Sequence, residues 1–164
     1  MNNGRRNMKD YQKLIISVLI PLAVGFVGSF FTSDAIGNWY AGLEKPSFNP
    51  PSWLFAPAWT ILYILIGISF YIVWKEGLED LKNKNIVIGV YSVQLFLNLL
   101  WSILFFGLRN PLWALIEIIV LWFVILLNIV VFYRVRKEAG ILLVPYLLWV
   151  SFASILNYYI FILN

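Results

Sequence analysis

Five uninterrupted apolar runs of about twenty residues constrain this chain more than anything else in it. They fall near 14–31, 53–74, 85–106, 111–133 and 140–163. At about 1.5 Å of rise per residue each makes about 30 Å of helix, enough to cross a bilayer core. None shows the period-two alternation of a membrane-spanning strand. In lipid, where no water satisfies the backbone, a chain of this pattern spans as helices. The expected fold is all-α: one five-transmembrane-helix domain over 14–164 behind a basic tail at 1–13, with a long loop at 32–52. The balance of residues agrees, since 62% are hydrophobic and only 12% charged, against about a quarter charged in soluble domains.

The runs are separated by charge and by turn residues. Arg5, Arg6, Lys9 and Lys13 precede the first run. A basic start before an apolar stretch also describes a secretory signal, but this run is long and no small-residue cleavage site follows it. A retained first helix is expected. Within it Pro21, Gly25 and Gly28 fall near one face, where small residues let helices approach closely. Pro111 opens the fourth run, a position at which its missing N–H costs little. Ten cations lie on one side of the membrane in this threading: four in the tail, three in the 75–84 link and three at 134–137. Lys45 and Arg109 alone lie on the other. The positive-inside rule then places the chain in the cell membrane with a cytoplasmic N-terminus and an external C-terminus.

Several chemistries are excluded at this stage. There is no cysteine and no histidine, and both methionines fall in the first eight residues. Thiolate chemistry and the usual haem, zinc and copper ligands are absent, so no metal site and no required cofactor are expected. The net charge of +4 is spread over helix ends, which leaves no basic patch for a nucleic-acid partner. The lipid bilayer is the expected surrounding.

The segment 39–63 is neither plain membrane helix nor plain charged link. It holds three of the eight tryptophans, four of the seven prolines and the pair Glu44-Lys45. Prolines at 46, 50, 51 and 57 fix φ and restrict the residues before them, so a stiff cover over the helix ends is expected. Trp39 and Tyr40 at its start can reach down onto the bundle, and Lys45 beside Pro46 is a candidate rim cation.

Polar and aromatic residues gather in the outer half. Helix two brings Trp59 and Tyr63 at i, i+4; helix three brings Asn98 and Trp101 at i, i+3; helix five brings Trp149, Ala153 and Asn157 on one face. An interfacial aromatic belt accounts for tryptophans at the membrane edges, but Trp59, Trp101 and Trp149 sit about a turn or more inside. They outline a pocket, with Ala153 leaving room between larger groups. Asn98 and Asn157 suit either a ligand or interhelical hydrogen bonds. Glu117 is the one carboxyl well inside a helix; such groups are costly in lipid and face the bundle interior, in a functional or a purely structural role.

Trp39-Tyr40, Leu43, Lys45-Pro46, Phe48, Pro50-Pro51, Pro57-Ala58-Trp59 and Leu62-Tyr63 together resemble the signature of the translocator protein family, also called tryptophan-rich sensory proteins or peripheral benzodiazepine receptors. Asn98 to Ser102, Pro111 to Ala114, and Pro145-Tyr146 through Trp149 to Ala153 and Asn157 continue the likeness over all but the tail. The chain looks like a bacterial member. The resemblance implies a homodimer of five-helix bundles that binds protoporphyrin IX and isoquinoline carboxamide or benzodiazepine-type molecules. Matching pocket positions are Tyr40, Trp59, Asn98, Trp101, Trp149 and Ala153. Some bacterial members resemble a light-dependent porphyrin-degrading enzyme, and the tryptophans matching that activity are Trp59 and Trp149. The family's cholesterol motif is not matched, since no Lys or Arg follows Tyr159. From the residues and the resemblance together, the candidate ligand-binding set is Trp39, Tyr40, Lys45, Pro46, Trp59, Tyr63, Asn98, Trp101, Glu117, Trp149, Ala153 and Asn157. A receptor, a light-dependent enzyme with protoporphyrin IX as substrate, and a tetrapyrrole transporter remain open.

Overall fold

The computed structural model describes residues 8–78 and 81–164. The tail residues 1–7, with Arg5 and Arg6, lie outside the described residues, as do Glu79 and Asp80 of the second charged link. Helix α1 runs Asp10–Gly37, α2 Phe55–Lys75, α3 Lys84–Ser102, α4 Pro111–Val135, α5 Lys137–Leu142 and α6 Val144–Leu163. Helix α3 continues into a π-helical turn, Ile103–Gly107, and α5 with α6 makes the fifth crossing. Five helical stretches among the described residues are long and apolar enough to span a membrane. The bundle is the expected five-span, all-α one.

The helices alternate in direction. At one end Lys75 pairs with Asp10 at 3.2 Å and Arg136 with Glu76 at 3.4 Å. At the other, Arg109 lies 3.9 Å from Asp34. Such exposed pairs add little stability, but they fix which loops share an end. We call the first the inner end and the second the outer end, after the expected orientation. Large apolar side chains point outward along every span, Phe30 on α1 and Phe123 on α4 among them; in a membrane that surface meets acyl chains. The interior divides into an inner cluster around Ile66, Phe70, Tyr91, Ile125 and Phe132 and an outer one around Tyr40, Phe105, Phe106, Ala114 and Leu156.

Two boundaries differ from those read off the runs. Helix α1 extends to Gly37, so the loop begins at Asn38 instead of at residue 32. The polar residues that suggested a loop bond back to the helix: Thr32 Oγ1 donates to the Gly28 carbonyl at 3.1 Å and Asn38 Nδ2 to the Asp34 carbonyl at 3.1 Å. Ala35 is buried against the outer cluster and holds that last turn in place. The expected link near 134–139 shrinks to one extended residue, Arg136, with φ −152° and ψ 126°. Lys137 and Glu138 already belong to α5.

Helices α1 and α2 come together without a side chain between them at Gly67. A Cβ there would lie 2.6 Å from Val18 Cα and 2.7 Å from the Ser17 carbonyl oxygen. That carbonyl is the one whose α-helical donor would be residue 21, and residue 21 is proline. That carbonyl, left without its i+4 donor, turns toward the bare backbone of the neighbouring helix. Further out, Gly25 faces the ring of Tyr63, which a Cβ would overlap.

Gly67→Ala is expected to destabilise the bundle by about 1–3 kcal/mol, the range for forced overpacking. Gly89→Ala, which meets nothing within 4 Å, is the control and should be neutral or slightly stabilising. Thermal unfolding of both variants in detergent or nanodiscs checks this; equal melting temperatures would remove Gly67 from the account.

Candidate functional site

The outer half encloses a cavity of about 400 Å³. Trp59 and Tyr63 project into it from α2, Trp101 from α3, Phe105 from the π-helical turn, and Trp149, Ala153 and Asn157 from α6. Tyr40 and Phe55 close it from the loop side, and Leu22, Gly25, Phe26 and Ser29 face it from α1. Phe26, Ser29, Ala56 and Thr60 line the cavity and are also exposed. The mouth therefore lies between α1 and α2, toward the lipid.

The tryptophans hold their positions through one another and through buried amides. Trp59 packs against Tyr63 and Tyr146, with ring centroids 5.7 and 6.2 Å away. Trp101 stacks on Phe105 at 5.1 Å, and its Nε1 donates to Asn157 Oδ1 at 3.1 Å. Asn157 Nδ2 donates in turn to the Pro111 carbonyl at 2.8 Å, tying α6 to the start of α4. Trp149 meets Phe55 edge to face at 6.2 Å. Beneath the cavity Tyr63 Oη donates to Asn98 Oδ1, and Asn98 Nδ2 donates to Tyr146 Oη at 2.8 Å. Three helices thus share one hydrogen-bonded trio.

Among the described residues, no charged side chain lines this cavity. The hydroxyls of Ser29, Thr32 and Thr60 donate to carbonyls of their own helices at 2.6, 3.1 and 2.8 Å. The interior is an aromatic slot with a few neutral polar atoms. It suits a flat apolar ring held by stacking.

The loop covers this slot. Tyr40 is buried against Phe55, Phe105 and Phe106, and its Oη donates to Asn49 Oδ1 at 2.7 Å. Burial pushes the Tyr40 phenol up to about 12, with the Asn49 hydrogen bond pulling the other way; the side chain stays a neutral donor at physiological pH. Phe48 rests on Phe152 and Tyr159. The loop is also clasped at its middle. Asn164 Oδ1 accepts from the Glu44 N–H at 2.9 Å while Asn164 Nδ2 donates to the Glu44 carbonyl at 3.0 Å.

Seven of the expected ligand residues line the one cavity: Tyr40, Trp59, Tyr63, Trp101, Trp149, Ala153 and Asn157. The other five stand elsewhere. Trp39 lies behind Tyr40, edge-on to Phe105 at 5.5 Å, and borders a second cavity with Arg109 and Asn164. Lys45 turns back on the loop: Nζ donates to the Ala41 and Leu43 carbonyls at 3.1 and 2.8 Å and sits 5.1 Å from the Tyr40 ring centroid. The Pro46 carbonyl accepts from the Asn49 N–H at 2.9 Å in a loop turn. Asn98 lies below the cavity, and Glu117 is buried behind it with neither carboxyl oxygen hydrogen-bonded among the described residues. Trp53 and Trp113 are 72% and 58% exposed, as interfacial belt residues are. Phe55, Phe105 and the α1 residues were not picked out by sequence reasoning. Their types match the lipid-facing majority, so only packing distinguishes them.

A model of the TspO/MBR family matches residues 17–163. The chain is 54% identical over 152 residues to the tryptophan-rich protein TspO of Archaeoglobus fulgidus, covering 93% of this chain and 97% of that one. It is 42% identical over 141 residues to the translocator protein of Homo sapiens, covering 85% and 83%. Against the tryptophan-rich sensory protein of Cereibacter sphaeroides the figures are 36% over 121 residues, 74% and 73%.

Removing the clasp should loosen the cover without touching the cavity. Asn164→Ala is expected to cost about 1 kcal/mol of loop closure, the net worth of such hydrogen bonds. Hydrogen exchange should then show the Glu44 amide exchanging about fivefold faster. Unchanged exchange there would show that the loop is held by its aromatic contacts alone.

Proposed function

This chain belongs to the TspO/MBR family of multi-pass membrane proteins, and from that premise we propose that it is a membrane receptor for flat tetrapyrroles. Protoporphyrin IX is the proposed ligand, with isoquinoline carboxamide and benzodiazepine-type molecules taking the same site. The observation that carries the reading is the uncharged aromatic slot walled by Trp59, Trp101 and Trp149 under a closed loop. Its volume of about 400 Å³ lies within the usual range for small-molecule sites. Relatives named for sensing and for translocation support it. We take the acting form to be a homodimer.

A second reading, light-dependent oxidation of the porphyrin, is favoured by one feature. Trp59 and Trp149 line the same cavity, where either can quench an excited ring or pass on a radical. Trp59→Phe and Trp149→Phe remove an indole but keep most of the bulk. The expected loss is about 0.5–1.5 kcal/mol, at most about tenfold in Kd. If the second reading holds, bleaching of protoporphyrin absorbance under light falls further than binding does. Equal falls leave a receptor.

Lys45 is a support of the loop in this reading, since two of its three donor hydrogens go to backbone carbonyls. Lys45→Ala should therefore weaken the dicarboxylate protoporphyrin and a neutral isoquinoline ligand alike. A loss confined to protoporphyrin would make the lysine a partner of the ligand's carboxylate.

We further propose the orientation given by the cations, with the loop at 38–51 outside the cell. A cysteine in place of Ser47, an exposed loop position, should react with an impermeant thiol reagent on intact cells. Labelling only after lysis would reverse the topology.

A further inference from the structure

Below the cavity, the inner half buries polar atoms that no described residue satisfies. Among the described residues, Ser17 Oγ, Tyr91 Oη, Gln94 Nε2 and Asn128 Oδ1 have no hydrogen-bond partner. Ser17, Gln94 and Asn128 are 0% exposed and Tyr91 4%. In a bundle surrounded by lipid, such groups are costly, and native proteins satisfy nearly all of theirs.

Two of these atoms come from one amide pair, and helix register places the other two at about its height. Asn128 Nδ2 donates to Gln94 Oε1 at 2.8 Å across α3 and α4. The remaining halves of those two amides, one donor and one acceptor, are the unsatisfied ones. Tyr91 precedes Gln94 by one turn on α3, its ring stacked on Phe70 at 4.3 Å and beside Phe132 at 6.0 Å. Helices α1 and α3 run in the same direction with Gly28 against Ser102; eleven residues lower on each stand Ser17 and Tyr91. One turn above Gln94 is Asn98, bonded to Tyr63 at the cavity wall.

We propose that this level is a water-binding site: a small cluster of bound water seated on Ser17, Tyr91, Gln94 and Asn128, beneath the ligand cavity. The leftover atoms select the occupant. Gln94 Nε2 can only donate, Asn128 Oδ1 can only accept, and the two hydroxyls do either. A cation would be opposed by the N–H and an anion by the carbonyl oxygen, while water gives and takes at once and carries no charge. Buried waters of this kind make about three hydrogen bonds each to otherwise unsatisfied groups.

The site has a consequence for the chemistry above it. Tyr91, Gln94 and Asn98 recur at helical spacing on the inward side of α3. With water between them they connect the inner half of the membrane to the Tyr63–Asn98–Tyr146 trio. The inference rests on the buried groups alone and stands whichever ligand the cavity takes.

The test uses the intact protein in lipid nanodiscs, with asparagine, glutamine and tryptophan labelled with nitrogen-15. Magnetisation transfer from water to the Gln94 side-chain amide is measured by NMR. The internal reference is the Trp122 indole N–H, which is bonded to Ser151 Oγ at 2.8 Å and should see no water directly. Transfer to Gln94 several-fold above that of Trp122 is the expected result. Transfer no greater than that of Trp122, with Gln94 Nε2 instead coupled to Asn128 Oδ1 in a closed amide pair, would overturn the proposal. No substitution is needed, so failure to fold cannot mask either outcome.

Discussion

Lipid removes the force that assembles a soluble core: apolar side chains lose nothing by facing acyl chains. What remains is close approach and buried hydrogen bonding, and in this bundle both start from one contact. Pro21 frees the Ser17 carbonyl, and Gly67 offers no side chain to keep it away. That seam sets α1 against α2 in the inner half. Further out the same pair of helices spares only Gly25 for the ring of Tyr63, and beyond it the space between them is the cavity. A methyl group at Gly67 would act at a distance, by shifting the helix that forms one side of the mouth.

The outer half is then organised by amides. Asn98 joins two tyrosines from different helices, and Asn157 joins a tryptophan to the first carbonyl of α4. Each fixes aromatic rings whose faces bound the slot. Polar groups near the slot are consumed in holding walls and cover. Even Lys45 spends its ammonium on loop carbonyls. The result is a cavity with braced walls and little charge.

Much of this was legible beforehand, for physical reasons that can be named. Long apolar runs leave no alternative to helices in a bilayer, and Trp59, Trp101 and Trp149 sat too deep for an interfacial belt. Helical spacing then put Ala153 and Asn157 with Trp149. Other features carried no local signal. Phe26 and Leu22 have the same character whether they face lipid or a cavity. Thr32, Ser33 and Asp34 read as loop because their polarity is visible, while the hydrogen bonds by which Thr32 and Asn38 return to α1 are not. Lys45 read as a rim cation because the carbonyls that claim it exist only once the loop has folded. Glu117 was correctly expected inside, but its lack of a partner is a property of the packing.

The end of α3 carries one further meaning. Between Ile103 and Gly107 the backbone is wound as a π-turn, with the Leu108 N–H bonded to the Ile103 carbonyl at 2.7 Å. Such a turn accommodates one residue more than an α-helix of equal length. It lets the adjacent Phe105 and Phe106 both face inward, the first onto Trp101 and both beneath Tyr40. Deleting one codon in this stretch would restore a regular helix and keep every residue type nearby. It would also rotate the remainder of the helix by about 100°, swinging an aromatic ring out of the slot.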